Sequence, residues 1–154
     1  MKKILISSCL LGEKVRYNGE AKPCPDPRLA RWQEEGRLIL VCPEIEGGLP
    51  VPRPPAQRRG GRVATEDGGD VTDAFRHGAE AALALARQHG VCLAILKQNS
   101  PSCGSHFIHD GSFQGVLIPG EGVATELLRQ HGIPVFGEDQ LDEAERALAA
   151  CSAD

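Results

Sequence analysis

Three short apolar runs constrain this chain more than any other feature: residues 3–7 (KILIS), 38–41 (LILV) and 92–96 (CLAIL). Continuous rather than alternating apolarity suits strands covered on both faces, as in a parallel sheet. Residues 133–136 (IPVF) predict a fourth strand, with Pro134 placing it near an edge or at a strand start. Helical patterns fill the intervals. Residues 27–35 carry Leu29 and Trp32 inward and stop at Gly36; residues 73–89 repeat Phe75, Ala79, Ala82 and Ala86, with Thr72 as cap and Gly90 as terminator. A third helix covers 122–131 before Gly132, and a fourth covers 139–150 with Leu141, Ala144 and Leu148 inward. Strands alternating with helices predict one α/β domain over residues 1–154, with a mostly parallel sheet of about four to five strands. Right-handed crossovers then place every strand's carboxyl end on one edge.

Residues 43–71 and 97–120 hold no convincing element, although they carry Gly47-Gly48, Gly60-Gly61, Gly68-Gly69 and prolines 43, 50, 52, 54 and 55. Structureless loops of this length in a compact domain are usually functional or disordered, and rigid prolines beside permissive glycines favour function.

The six cysteines of the 154-residue chain divide by position. Cys9 ends the first run, Cys42 follows the second, and Cys103 lies in the loop after the third. A parallel sheet brings all three to the edge where open α/β sheets bind ligands. No local CxxC spacing is present, so such a site is assembled from distant segments. Three thiolates suit a metal or an iron–sulfur cluster; three unrelated buried thiols are the bland alternative. Cys92 reads as a small buried hydrophobe inside a strand, Cys151 as an exposed bystander, and Cys24 as a loop residue that is at most a fourth ligand.

The neighbours of these cysteines carry chemistry. Glu44, in Cys42-Pro43-Glu44, is a candidate general acid or base. The segment from Lys97 to Gly104 (KQNSPSCG) is dense in polar groups, with Ser100 and Ser102 placed to bond a substrate or cluster sulfurs, or simply the turn's own backbone. Arg53, Arg58, Arg59 and Arg62 make the long loop basic, fit either for an anion or polar heterocycle or for plain solvation. His77, His89, His106, His109 and His131 show no HExxH spacing; His106 and His109 lie near Cys103, where reaching the site is the alternative to the loop or surface roles favoured for them. GxGxxG, GxxxxGK[ST] and GxSxG are all missing.

A formal charge of −4 argues against a dedicated nucleic-acid binder, and no apolar run approaches the roughly 20 residues that cross a bilayer. Met1-Lys2-Lys3 ahead of a three-residue apolar stretch resembles a signal peptide only superficially, since a secretory core needs roughly 7–15 apolar residues. The expectation is a cytoplasmic protein, whose reduced cysteines serve metal or catalysis.

Several long motifs carry a family resemblance. SSCLLGEKVRYNG, VCPEIEGGLPVPRPPAQRRGG, DVTDAFRHGAEAAL, AILKQNSPSCGS, GSFQGV and GEGVATELLRQHGIPVF together resemble the thiouracil desulfurase family over roughly residues 4–138. Val15 stands where members often carry a cysteine, and Gln57 where an acidic residue is common. The resemblance implies a Rossmann-like three-layer fold and an oxygen-sensitive [4Fe–4S] cluster held by Cys9, Cys42 and Cys103, with one iron open. It further implies Glu44 as the catalytic carboxylate and Ser100 as the active-site serine. On this reading a thiolated pyrimidine such as thiouracil is converted to its oxo base and hydrogen sulfide without net redox change, and Ser102, Lys97 and Arg53 are expected to bind it. Two other classes stay open: a cluster- or zinc-bearing structural or sensing module, and a metal-free cysteine sulfur-transfer protein with a low-pKa nucleophile.

Overall fold

The computed structural model describes residues 1–151. Four parallel strands form the central sheet: β1 (Ile4–Ser7), β2 (Leu38–Val41), β5 (Leu93–Leu96) and β8 (Val135–Gly137), in the order β2-β1-β5-β8. Ile4, Leu5 and Ile6 are all 0 % exposed, so β1 is covered on both faces. The strand alternation divides the core. Ile4, Ile6, Leu93 and Ile95 pack beneath helices α1 (Pro27–Glu34) and α5 (Leu141–Ala150) through Leu29, Trp32, Leu141, Ala144 and Leu148. Leu5, Ala94 and Leu96 face α3 (Thr72–His89) and α4 (Val123–Gln130) through Ala82, Leu83, Ala86 and Leu128. The result is a three-layer α/β/α domain. The chain leaves β1 for β2 on one side and returns past it to β5 on the other, so the strand order reverses between β1 and β5. A crevice at such a reversal, outside the carboxyl ends of the strands, is where doubly wound sheets bind ligands.

Local chemistry explains the helix ends. Asp26 accepts the Arg28 backbone N–H at 2.9 Å ahead of Pro27, and Gly90 closes α3 in the left-handed region at φ +59°. Thr72 is not the cap of α3. It lies inside the helix, and its Oγ accepts the Val63 N–H at 2.9 Å, tying α3 to a neighbouring strand.

The two long connections are structured, contrary to the sequence expectation. Residues 43–71 contain a one-turn helix α2 (Pro43–Glu46) and an antiparallel hairpin, β3 (Ala56–Arg59) and β4 (Arg62–Thr65), turned by Gly60-Gly61. Residues 97–120 contain a second ribbon, β6 (Phe107–His109) and β7 (Leu117–Pro119). The β3–β4 hairpin buries chiefly Val63 and otherwise shows polar residues, so it has no apolar alternation to read. Cys92 and Cys151 are also corrected: they form a disulfide. Cys92 sits just ahead of β5 at the sheet's amino edge, and α5 runs back along the sheet to deliver Cys151 there. Among the described residues no helix is long and apolar enough to cross a membrane.

Candidate active site

A cavity of about 440 Å³ opens outside the carboxyl ends of β1, β2 and β5. Its wall includes all three cysteines that the sheet argument selected, Cys9, Cys42 and Cys103, together with Glu44, Arg53, Lys97, Ser100 and Ser102. Cys24 is a free cysteine that does not line it.

Each thiol arrives by a different device. Cys9 lies in a 3₁₀ turn (Ser8–Leu11) that continues β1. Cys42 precedes α2, with its Sγ 4.0 Å from the Val15 carbonyl. That position depends on backbone packing between α2 and α3. A Cβ on Gly78 of α3 would lie 1.8 Å from the Pro43 carbonyl oxygen, and one on Gly47 would lie 2.0 Å from that of Ala74. Cys103 is held by α4, whose first N–H groups have no intrahelical partners. Val123 N–H bonds the Pro101 carbonyl at 2.9 Å and Ala124 N–H bonds that of Ser102 at 2.9 Å, docking the SPSC loop on the helix start. Ser7 Oγ donates toward Cys103 Sγ at 3.6 Å and accepts the Lys97 N–H at 2.9 Å.

Burial pushes the Cys9 thiol up to about 11 and the Cys103 thiol up to about 12, and the nearby Cys42 sulfur adds to both shifts. Cys42 is raised as well, first by burial, with the Ile45 N–H pulling the other way. Neutral thiols that discourage one another's ionisation fit a thiophilic cation, which reverses that balance when it binds. Ser8 adds a second sign of fit: its Oγ is buried and has no hydrogen-bond partner among the described residues. That hydroxyl is free to donate to a sulfur ligand beside Cys9. No group of three or more His, Cys, Asp or Glu side chains among the described residues is spaced for a single metal ion.

Glu44 is held at both oxygens. Ser102 Oγ donates to Oε2 at 3.0 Å, and Arg53 Nε donates to Oε1 at 3.0 Å. Ser100 Oγ lies 2.9 Å from Ser102 Oγ and accepts the N–H groups of Ser102 and Cys103 at 3.1 and 3.2 Å. An ionised Glu44 can only accept, so the chain of donors runs Ser100 to Ser102 to Glu44. Arg53 also bonds the Val15 and Pro50 carbonyls at 2.9 and 3.1 Å, and its side chain is 5 % exposed. Its donors are therefore turned to the protein. Lys97 Nζ pairs with Glu138 at 2.8 Å and the Gln98 carbonyl at 3.0 Å.

The remaining arginines of the basic loop do not line the cavity. Arg58 pairs with Glu126 and Arg62 with Asp70. Gln57 accepts the Gly111 and Phe113 N–H groups at 3.0 and 3.2 Å, joining the two ribbons at the cavity wall. His109 also lines the cavity, where the sequence reading had placed it on a loop or the surface; His106 does not. Ser7, Ser8, Arg16, Tyr17, Lys22, Gln98 and Asn99 complete the polar wall. Of these, Gln98 and Asn99 fell within the polar 97–104 segment and Ser7, Ser8, Arg16 and Tyr17 within the SSCLLGEKVRYNG motif, whereas Lys22 carried no sequence signal.

Comparison with known proteins gives consistent matches over the whole fold. Residues 4–140 match the family model described as 2-thiouracil desulfurase. The uncharacterized protein YbbK of Bacillus subtilis (strain 168) is 39% identical over 150 residues, covering 91% of this chain and 98% of its own. A solved structure described as [4Fe-4S]-dependent thiouracil desulfidase TudS superposes with a TM-score of 0.96 at 52% identity, covering 97% of this chain and 99% of that one.

Proposed function

Since the chain belongs to the 2-thiouracil desulfurase family, we propose that it hydrolyses a thiolated pyrimidine base such as thiouracil, exchanging sulfur for oxygen and releasing hydrogen sulfide. The observation that carries this reading is the convergence of three free thiols from three strand ends on one cavity, beside a carboxylate held by a serine chain. Cys9, Cys42 and Cys103 would hold a [4Fe–4S] cluster and leave one iron without a protein ligand. When bound, such a cluster supplies a Lewis acid for a soft thiocarbonyl sulfur.

The chain's own residues then manage water and protons. Glu44 takes a proton from the attacking water and returns one to the departing sulfur, so the thiocarbonyl plus water gives the carbonyl plus hydrogen sulfide with no electron transferred. Ser100, its oxygen cradled by two backbone N–H groups, passes a proton through Ser102 to Glu44. We assign Ser102 and Arg53 to the holding of Glu44 rather than to the substrate, because their donors are already turned to protein acceptors. Lys97, fixed by Glu138, supplies positive charge near Cys9. A metal-free sulfur-transfer cysteine requires a lowered thiol, and burial acts the opposite way on all three. We place the reaction in the cytoplasm, where thiols remain reduced. Opening Cys92–Cys151 there would act at the far edge of the sheet from the cavity.

The test is anaerobic purification with cluster reconstitution, followed by iron and sulfide analysis, visible absorption, and loss of the thiouracil thiocarbonyl band. Cys42→Ala should lose the colour. Glu44→Ala should keep iron and colour while turnover falls by about 10²- to 10⁴-fold. A wild-type protein that stays colourless and iron-free after reconstitution overturns the reading, and a fully active Glu44→Ala overturns that assignment.

A further inference from the structure

Most polar side chains of the cavity wall are already committed: Ser7, Glu44, Arg53, Lys97, Gln98 and Ser102 all bond other protein groups. Ser8, Arg16, Tyr17, Lys22, Asn99 and His109 are not, and the backbone brings the last two together. The Asn99 side chain has no hydrogen-bond partner among the described residues, and its backbone sits in the left-handed region at φ +66°, which asparagine tolerates better than most residues. An isolated parallel bridge pairs Asn99 with Ile108, so Asn99, three residues past β5, lies beside the strand that carries His109. His109 Nδ1 is buried and unpartnered. Buried polar atoms nearly always have a partner, and an unmatched lone pair is tolerated more readily than an unmatched N–H. Nε2 is therefore the ring nitrogen left to donate to a ligand.

We propose that Asn99 and His109 recognise the lactam edge of the pyrimidine ring. The Asn99 carboxamide, with an N–H donor and a carbonyl acceptor side by side, pairs with the ring N–H and its adjacent carbonyl or thiocarbonyl. His109 Nε2–H donates to the remaining ring carbonyl. The preferred substrates are thio-oxo pyrimidines that keep the ring N–H between their two exocyclic groups; rings methylated at that nitrogen are disfavoured. This rests on the desulfurase reading, but the recognition has a readout of its own, because the oxo base carries the same edge without sulfur.

The experiment compares uracil with 3-methyluracil by calorimetric binding to the cluster-loaded protein, and 4-thiouracil with its 3-methyl derivative by turnover. Wild type should prefer the unmethylated ring by about 10²-fold or more in both assays, since a site built around a hydrogen bond rejects an analogue that cannot make it. Asn99→Leu should reduce that preference to a few-fold, raising KM for 4-thiouracil about 10- to 100-fold with kcat, iron content and visible spectrum unchanged. Asn99→Asp, which keeps the size, the left-handed tolerance and an acceptor for the ring N–H but loses the amide donors, should lower affinity for both rings and keep the preference. His109→Phe should weaken both rings equally and keep the preference, and His109→Gln, which retains a donor, should restore affinity. An Asn99→Leu protein that keeps the wild-type preference overturns the proposal, as does wild type that binds both rings equally. Discrimination in binding without turnover of either thio base leaves the recognition standing and removes the desulfurase reading instead.

Discussion

Gly78→Ala tests how the Glu44 carboxylate is placed. In an ordinary helix interior the substitution favours the helix by about 1 kcal/mol. Here the new Cβ would lie 1.8 Å from the Pro43 carbonyl oxygen and 2.7 Å from its carbon, where ordinary contact begins at 3.4 Å. The difference leaves about 1.6 Å to be opened between α3 and α2. Overpacking on that scale costs about 1–3 kcal/mol, so the two effects together destabilise the fold by up to about 2 kcal/mol, or up to about 8 °C in Tm for a chain of this size. The larger consequence is positional. Glu44 rides on α2, and moving it by that distance takes both its 3.0 Å contacts, to Ser102 and Arg53, out of hydrogen-bond range. Turnover should fall by about 10²-fold. Thermal melts of the cluster-free protein, iron per chain and kcat measured on one preparation separate the effects. A Gly78→Ala protein with a raised Tm, full iron and wild-type kcat would refute the packing argument.

Arg53→Lys replaces a fork serving Glu44 and two carbonyls with a single ammonium; kcat should fall while iron and KM stay unchanged, and a raised KM with kcat intact would return Arg53 to substrate binding. In cluster-free protein, the Cys103 thiol is raised from 9.0 to about 12, so the folded state holds its proton where the unfolded state has lost it. That contribution is complete below about pH 9 and is lost as pH climbs toward 12, at about 1.4 kcal/mol per pH unit; urea midpoints at pH 8 and pH 10.5 should therefore fall further for wild type than for Cys103→Ala, and equal falls would contradict the assignment. Cys151→Ser removes a link across 59 residues, worth about 4 kcal/mol in the chain-entropy account. Its Tm should drop with iron content unaltered, and a non-reducing peptide map of wild type lacking the Cys92–Cys151 peptide would exclude the bond.

The central sheet was legible because β1, β2 and β5 are covered on both faces and so carry unbroken apolar runs. Strand ends then located Cys9, Cys42 and Cys103, while Glu44 followed from its place beside Cys42 and from the family motif. The β3–β4 hairpin announced itself only through Gly60-Gly61, a turn signal with too little apolar pattern around it. The link from Ser102 to Glu44 was beyond reach, because α4's amides, far along the chain, fix the SPSC loop. Arg53 was visible as a charge, but two of its acceptors are backbone carbonyls, which no side-chain pattern reveals. Nothing in the 73–89 pattern marks Gly78, since its close neighbour comes from another segment.

Carrying the three thiols on separate strand ends also sets an order in time. A ribosome adding about 5–20 residues per second needs roughly 3–12 s to pass from Cys42 to Cys103, a stretch of 61 residues. Throughout that interval the nascent chain displays two of the three sulfurs. β5, which must pair with β1 before the third can reach the cavity, is completed only at Leu96, near the end of that interval. Assembly of the three-thiol cavity is therefore a late event of biosynthesis, and a chain truncated before residue 103 exposes a two-thiol half-site to whatever metal or oxidant is at hand.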